Sequence, residues 1–463
     1  MNRNRIIYPA AAGLVLIIII EVALAGLDVP ARRALEVFAL AIVGWSMTSL
    51  DDTFIALAAA VAMALLVIGS PDRLFAALGD SLVWLLVAAF MLGAALKATR
   101  VADALVCRLI GQGRSLHAMF HGLTAVMLAS AFLIPTTAGR AAMMLPVFTA
   151  IAPALPSTRV RVAFALLFPT VILLSAFASL VGAGAHIAAV QLLAQATGES
   201  VTFAQWMLLG LPLGAASSFL AAEVILRMFV TADERGIAIV LPGGRAHVPP
   251  VVNRTAVCVV ALVIAGWLTA PLHGLNETLV ALAGAIVMTA PGVGVIRFKD
   301  ALKEVDWNLL VFLAASIALA QGLVAAEVGE QLLDGSLGTL GEAGRPPLFY
   351  AAVIAIAGIS LHLVVHSRTA RVVVLVPLVL LLADEAGLGP LSMTLIAVAA
   401  TGFSQTLLVS AKPVIMFGGI EGATYTQRDL LRLAVVLAPV HLALLLLFAG
   451  LVWPAFGVGL GDD

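Results

Sequence analysis

Long apolar stretches separated by short polar breaks run along nearly the whole chain. About ten of these stretches are long enough to cross a bilayer, since a transmembrane helix needs ~20 mostly apolar residues. Lipid cannot hydrogen-bond an open backbone, so each stretch is predicted to be a helix. The pattern therefore predicts an all-α polytopic membrane protein, with about eleven transmembrane helices and two further re-entrant hairpins.

The composition supports the same class. Hydrophobic residues make up 62% of the 463 residues and charged residues only 11%, whereas a soluble domain carries about 25% charged residues. The net charge of −1 does not favour a nucleic-acid partner, and none is predicted. The lipid bilayer is the one partner that composition indicates directly.

The polar breaks divide the chain into two similar halves. Each half predicts three spans, an amphipathic segment, a re-entrant hairpin, a broken span and a last span. The predicted units are an N-terminal helix (1–31), a first repeat (32–228, hairpin about 115–153), a cytoplasmic linker (229–251), a second repeat (252–452, hairpin about 346–384) and a tail (453–463). An odd number of spans per half makes the halves insert with opposite orientation, and inverted repeats with discontinuous helices are typical of secondary transporters.

Basic residues give the predicted orientation. Arg3 and Arg5 precede the first span, and Arg235 and Arg245 lie in the linker, so both segments are expected in the cytoplasm. This predicts a multi-pass protein of the inner (plasma) membrane with a cytoplasmic N-terminus and an external C-terminus. Residues 99–114 are predicted to form an amphipathic helix at the cytoplasmic interface.

Two short stretches with a buried arginine stand out from the apolar background. Arg140 is followed by Pro146, and Arg371 by Pro377, at the same spacing and with no acidic residue nearby. An arginine at membrane depth costs at least ~2.5–3.5 kcal/mol and is usually functional. Two of them in matching frames predict a single site built from the two hairpin tips.

The side chains around both tips are mostly hydroxyls and cations, with almost no carboxylates. Broken helix ends add N–H donors and a positive dipole that attract anions, and guanidinium groups match carboxylate, sulfate or phosphate. The predicted substrate-binding residues are Thr136, Thr137, Arg140, His186, Ser367, Arg368, Thr369, Arg371 and Lys412. The structural alternatives are an Arg140 that snorkels to the cytoplasmic interface or pairs with a backbone carbonyl, an unpaired or interfacial Lys412 and a merely hydrogen-bonded His186.

These stretches resemble the divalent anion/sodium symporters (DASS), which carry a Ser-Asn-Thr-Ala-Thr signature in each of two hairpins. The second copy here is Ser367-Arg368-Thr369-Ala370-Arg371 with Pro377 in register, and the first is Thr136-Thr137-Ala138-Gly139-Arg140. Residues 182–191 and 410–417 are similar to the family's Gly-Gly-Thr and Pro-Pro-Asn segments. The resemblance implies a homodimer with a scaffold domain and a transport domain. It also implies elevator-type transport of di- or tricarboxylates or sulfate, usually with sodium.

The departures from the signature change the expected coupling. Thr137 and Arg368 replace the family's asparagines, and Arg140 and Arg371 replace its final threonines. A fixed guanidinium repels sodium in a low-dielectric site, so sodium is doubted and arginine charge is predicted to replace it. The expected activity is sodium-independent transport of a small (di)anion, either by exchange or with protons carried by His186 or His366.

Other functions stay open at this stage. A sodium-coupled dicarboxylate or sulfate symporter is the main alternative, and an anion channel would use the same basic lining. No metal-ligand cluster, nucleophile–base pair or phosphate-binding loop is evident in the sequence. Neither an enzymatic activity nor a cofactor is therefore predicted.

Overall fold

The described part of the protein, taken from a computed structural model, comprises residues 4–68, 70, 72–99, 115–239, 253–332, 345–420 and 424–461. Almost all of the predicted amphipathic helix at 99–114 lies outside these residues. So do most of the predicted linker at 229–251 and the last two residues of the tail. Predictions for those segments stay predictions.

Within the described residues the fold is made of α-helices joined by turns, with isolated bridges in place of any β-strand. Several helices are long and apolar enough to cross a membrane: 74–98, 158–178, 203–229, 307–325 and 427–456. Shorter apolar helices occupy the other predicted spans, among them 52–68, 254–268 and 277–289. The predicted class, an all-α polytopic membrane protein, is confirmed.

The helices of the first half follow the predicted order. They are α1 (Asn4–Ala23), α2 (Val29–Met47), α3 (Asp52–Met63, continued by a π-helical segment Ala64–Ile68), α4 (Asp72–Ala77), α5 (Ser81–Ala98), α6 (Leu116–Ser130), α7 (Thr137–Ile151), α8 (Thr158–Ser175), α9 (Gly184–Thr197), α10 (Phe203–Phe229) and α11 (Ala232–Arg235).

The second half repeats the long elements of this order. Its helices are α12 (Arg254–Leu268), α13 (Ala270–His273), α14 (Glu277–Thr289), α15 (Phe298–Lys303), α16 (Trp307–Ala325), α17 (Val328–Leu332), α18 (Pro347–Ser360), α19 (Arg368–Glu385), α20 (Pro390–Thr401), α21 (Lys412–Gly418) and α22 (Gln427–Leu447).

Two helix pairs correspond to the predicted hairpins. The first consists of α6 and α7, and the second of α18 and α19. Thr136 and Ser367 begin the second helix of each pair by accepting hydrogen bonds from the backbone amides of Gly139 and Ala370. These hydroxyl caps satisfy amides that the first turn of a helix leaves free. Each hairpin therefore presents a helix N-terminus at its tip.

The two broken spans are also present. Between α8 and α9 the chain forms short 3-10 turns, and Gly182 approaches the Ala176 carbonyl so closely that a Cβ would lie 2.3 Å from that oxygen. A larger residue would not fit there, which explains the glycine in this break. Between α20 and α21 the residues 402–411 interrupt the second span.

An internal repeat is visible in a pair of tryptophans. Trp45 Nε1 donates to the carbonyl of Asp52 at 3.1 Å, and Trp267 Nε1 donates to the carbonyl of Glu277 at 2.9 Å. Asp52 and Glu277 are the first residues of α3 and α14. In both halves, therefore, a tryptophan near the end of one helix donates to the first residue of a following helix. The two halves are therefore related in structure as well as in sequence order.

The halves also exchange contacts with each other. α3 packs along α16, and α14 packs along α5. Thr53 Oγ1 donates to the Asn308 carbonyl at 3.1 Å, and Thr278 Oγ1 donates to the Ser81 carbonyl at 2.9 Å. Likewise, α7 of the first hairpin packs against α21, and α19 of the second hairpin against α9. Each hairpin is thus packed on the broken span of the opposite half, which brings both tips together.

Candidate functional site

A cavity of about 390 Å³ lies between the two hairpin tips. Helices α3, α7, α9, α16, α19 and α21 all begin at its wall. Helix N-termini carry unpaired N–H groups and the positive end of the helix dipole, so such a convergence attracts an anion. Its polar lining consists of Asp51, Asp52, Thr53, Thr136, Thr137, Asp306, Asn308, His366, Ser367, Arg368, Thr369, Arg371 and Lys412.

The helix starts around the cavity are capped in different ways. Hydroxyls cap α7 and α19, as described above. In contrast, α9 and α21 begin at Ala183 and Ala411, which have no capping side chain. Their backbone angles nearly coincide, with φ −158° and ψ 145° at Ala183 and φ −158° and ψ 148° at Ala411. No side chain caps the first turn of either helix, although Pro413 in α21 has no N–H and the His186 amide in α9 already donates to the Ala183 carbonyl.

Arg371 lies at the buried end of the cavity. Its side chain has no exposed surface. It donates from Nη1 to the Phe403 carbonyl at 3.2 Å and from Nη2 to Ser404 Oγ at 2.8 Å, and its Nε has no hydrogen-bond partner within the described structure. A buried charged donor without a partner is costly. Arg371 therefore offers an unused N–H group beside the cavity it lines.

Arg368 also lines the cavity and contacts His186 behind it. Its Nη2 lies 3.1 Å from His186 Nε2, while Nε and Nη1 are buried without a partner among the described residues. The other ring nitrogen, Nδ1, lies 2.9 Å from the Ser179 carbonyl. These partners assign the proton to Nδ1 and leave Nε2 to accept from the guanidinium. His186 thus positions Arg368 and does not itself line the cavity.

Arg140 differs from its counterpart in the second half. It is fully buried and donates to oxygens on every side, and it is absent from the cavity lining. The acceptors are Ser130 Oγ at 2.9 Å, the Met127 carbonyl at 2.6 Å, the Ile172 carbonyl at 2.9 Å and Ser175 Oγ. These contacts match the structural alternative, in which the arginine is bound by backbone carbonyls. The predicted substrate contact of Arg140 has no support in this geometry.

The other predicted residues are brought together. Thr136, Thr137, Ser367, Thr369 and Lys412 all line the cavity, with Lys412 exposed at its mouth. Together with the two arginines, they give the wall formed by the hairpins and α21 its hydroxyl donors and positive charge. Seven of the nine predicted site residues thus line one cavity, whereas Arg140 and His186 do not.

The expectation of a site almost without carboxylates is wrong. Asp51, Asp52 and Asp306 line the cavity and balance the formal charge of Arg368, Arg371 and Lys412. None of these three positions is among the predicted site residues, since nothing in the sequence shows that α3 and α16 begin opposite the hairpin tips. The one available signal was the position of each acid immediately before or at a helix start.

Two of the three carboxylates also cap helices. Asp51 accepts from the amides of Thr53 and Phe54 at 2.9 and 3.2 Å, and Asp306 accepts from the amide of Leu309 at 3.1 Å. Partial burial alone would raise the pKa of Asp51, but the hydrogen bonds from Phe54 and Thr53 hold that pKa below its usual value. Asp51 is therefore a fixed negative charge at neutral pH.

Comparisons with known proteins concern the family and the fold of this chain. A family model described as "Sodium:sulfate symporter transmembrane region" matches residues 3–458. A protein of Cupriavidus necator described as "Membrane protein" is 24% identical over 469 residues, covering 93% of this chain and 89% of that protein. The crystal structure of the Alcanivorax borkumensis YdaH transporter, described as having an unusual topology, matches with a TM-score of 0.57 at 14% identity. It covers 88% of this chain and 98% of that one. The latter likeness concerns the fold alone.

Proposed function

Since this chain belongs to the sodium:sulfate symporter family of membrane transporters, we propose that it is a secondary active transporter of a small anion that needs no sodium. The hairpin arginines carry this proposal. Arg140 and Arg371 each donate to the backbone carbonyl that follows 32 residues later, at Ile172 and Phe403, and to a serine hydroxyl close to it.

These arginines occupy sites of the kind that bind cations. In transporters with discontinuous helices, unwound carbonyls coordinate sodium. Here carbonyl and hydroxyl oxygens of the broken spans surround a guanidinium instead. A second cation 4 Å from that charge would be repelled by about 4 kcal/mol at an effective dielectric constant of 20. A permanent charge supplied by the protein therefore replaces the sodium that a symporter has to bind.

The substrate class follows from the free donors. Arg368 and Arg371 keep N–H groups without partners, and Thr136, Thr137, Ser367 and Thr369 add hydroxyls. Charge-assisted hydrogen bonds of this kind suit a carboxylate, sulfate or sulfonate group. The uncapped starts of α9 and α21 favour a second negative group on the same ligand. A small dianion such as a C4-dicarboxylate or sulfate satisfies all of these donors.

The placement of charges favours exchange by an elevator motion. The cations lie on α19 and α21, which pack with α7 and α9, whereas the carboxylates lie at the starts of α3 and α16, which pack on each other. In an elevator motion the helices that carry the cations move past the helices that carry the carboxylates. If the cavity is empty, this motion separates opposite charges and costs energy. A bound dianion would travel with the cations and replace the carboxylates. Return of the empty carrier is therefore expected to be slow.

A zwitterion is a second candidate substrate, favoured by the carboxylates themselves. Its anionic group would meet Arg368 and Arg371 while its ammonium group faced Asp52. A binding screen by thermal shift separates the classes: succinate and sulfate should raise the melting temperature if the substrate is a dianion, whereas an aminosulfonate should be the better ligand if it is a zwitterion.

Uptake into proteoliposomes tests the proposed function. Uptake of the stabilising anion should be equal in sodium and in N-methylglucamine buffers, and much faster into vesicles preloaded with unlabelled anion than into empty ones. An uptake rate that rises with external sodium would identify a sodium-coupled symporter instead. Flux that never saturates with the anion gradient would show a channel.

A further inference from the structure

A second cluster of polar side chains lies at the start of the first hairpin, and none of its members lines the cavity. His117 and His121 are one turn apart on α6, and Glu223 lies on α10, which packs against α6. One ligand atom from each of these residues lies within 4.8 Å of the other two. No metal-ligand cluster was predicted from the sequence, because Glu223 is 102 residues from His121. The only sequence signal of this cluster is the i, i+4 spacing of the two histidines, which places them on one face of a helix.

The distances suit a bound ion. Both histidine Nε2 atoms approach the same carboxylate oxygen, Glu223 Oε2, at 3.6 Å from His117 and 3.3 Å from His121. Ligands held at about 2.0–2.2 Å in a tetrahedral zinc site are roughly 3.3–3.5 Å apart. The side chains are 50%, 25% and 26% exposed for His117, His121 and Glu223, so an ion could reach them.

Neighbouring residues fix the orientation of these groups without using the same atoms. Arg227 Nε donates to the other carboxylate oxygen, Glu223 Oε1, at 2.6 Å. The ring of His121 stacks on Phe219 with centroids 5.9 Å apart. Metal ligands are commonly held in this way by outer hydrogen-bond partners. Arg227 therefore contacts Oε1, while Oε2 faces the two imidazoles.

We propose that His117, His121 and Glu223 bind a divalent transition-metal ion, with water completing the coordination. Two imidazoles and a carboxylate form a ligand set suited to Zn²⁺ and its neighbours Co²⁺ and Ni²⁺. The bound ion would join α6 to α10 and fix the start of the first hairpin. This site does not depend on the proposed substrate, because it lies outside the substrate cavity.

Titration with Co²⁺ tests the proposal, on full-length protein in detergent that carries no polyhistidine tag. One equivalent of Co²⁺ should produce the visible absorption bands of a protein-bound ion, and Zn²⁺ should displace it. His121→Ala and Glu223→Gln should each lose about tenfold or more in affinity, and Arg227→Ala about tenfold. His273→Ala removes an exposed histidine elsewhere and should bind like the wild type.

A thermal measurement gives a second readout. Zn²⁺ should raise the melting temperature of the wild type and of His273→Ala, but not of His121→Ala. The proposal is overturned if the wild type binds neither ion, or if His121→Ala and Glu223→Gln bind as tightly as the wild type. The wild-type titration needs no variant, so a variant that fails to fold does not prevent a decision.

Discussion

Arg140 and Arg371 occupy equivalent positions in the two hairpins but have different surroundings. Each donates to a carbonyl 32 residues further along the chain. Arg140 Nε donates to Ser130 Oγ, whereas Arg371 Nε has no partner within the described structure. The residue of the second hairpin that corresponds to Ser130 is Leu361, which has no side-chain acceptor. The same motif is therefore bound through all three guanidinium nitrogens in one half, whereas in the other half one nitrogen has no partner among the described residues, as the proposed substrate contact of Arg371 requires.

The comparison shows how a repeated motif can be divided between two tasks. A buried guanidinium whose three nitrogens all donate to protein oxygens has little left to offer a substrate, and its removal leaves acceptors unpaired. A buried guanidinium with unpaired donors raises the free energy of the empty protein. A ligand that accepts from those donors removes this cost, so its binding is more favourable. Substitution of Arg140 should therefore lower mainly the stability of the protein, whereas substitution of Arg371 should lower mainly its affinity for the substrate.

The largest effect is expected from Arg371→Ala. Loss of charge-assisted hydrogen bonds worth about 1.5–3 kcal/mol each should weaken substrate binding by roughly 100-fold or more and abolish transport. The melting temperature should fall less than in Arg140→Ala, because only the Phe403 carbonyl and the Ser404 hydroxyl lose their donor. Isothermal titration with the stabilising anion and counterflow in proteoliposomes measure both quantities. Normal transport by this variant would make Arg371 a structural residue.

Arg140→Ala should act mainly on stability. The substitution removes the donor to the Ile172 carbonyl and to the hydroxyls of Ser130 and Ser175, at about 1–3 kcal/mol for each group left unpaired. The Met127 carbonyl still accepts from Ser130 Oγ. The melting temperature in detergent should fall strongly, while the folded fraction keeps its substrate affinity. If stability is unchanged and binding is lost, the proposed division between the two arginines is wrong.

The serines that contact the arginines allow a finer test. Ser130→Ala removes the acceptor of Arg140 Nε and should cost about 1–3 kcal/mol of stability without altering substrate affinity. Ser404→Ala leaves the Arg371 guanidinium oriented by the Phe403 carbonyl alone and should instead lower affinity by roughly 5–30-fold, because the misoriented side chain no longer presents its donors to the cavity. Melting curves and anion titrations on both variants provide the comparison. Equal effects of the two substitutions on affinity would contradict the proposed difference between Arg140 and Arg371.

Sequence pattern predicted much of this arrangement, and physical reasons limit the rest. Apolar run lengths located the spans, and the arginine–proline spacing located both hairpin tips, since these depend on local sequence. The three aspartates that face the tips depend on how α3 and α16 pack, and no local pattern reports that. The partners of Arg140 are similarly hidden, because Ile172 and Ser175 lie in another element. Burial alone did not distinguish Arg140 from Arg371.

The same asymmetry recurs at the neighbouring position, where Thr137 in the first hairpin corresponds to Arg368 in the second. Arg368 depends on His186, whose Nε2 accepts its N–H while the ring stacks on Trp206 with centroids 5.0 Å apart. His186→Phe keeps an aromatic ring beside Trp206 but removes the acceptor. Since one hydrogen bond to a charged group is lost while the charge remains, affinity should fall by only about 3–10-fold.

The pH dependence of transport separates this positioning role from proton transfer. Because Nδ1 of His186 faces the Ser179 carbonyl and Nε2 accepts from Arg368, a second proton on the ring would break the contact with Arg368 and bring two positive charges together. His186 should therefore stay neutral throughout the cycle, and His186→Phe should keep the pH profile of the wild type. A profile that flattens in His186→Phe would instead identify His186 as a proton carrier. Arg368 would then lose its hydrogen-bond partner at every protonation, and anion affinity would have to fall as the ring becomes charged.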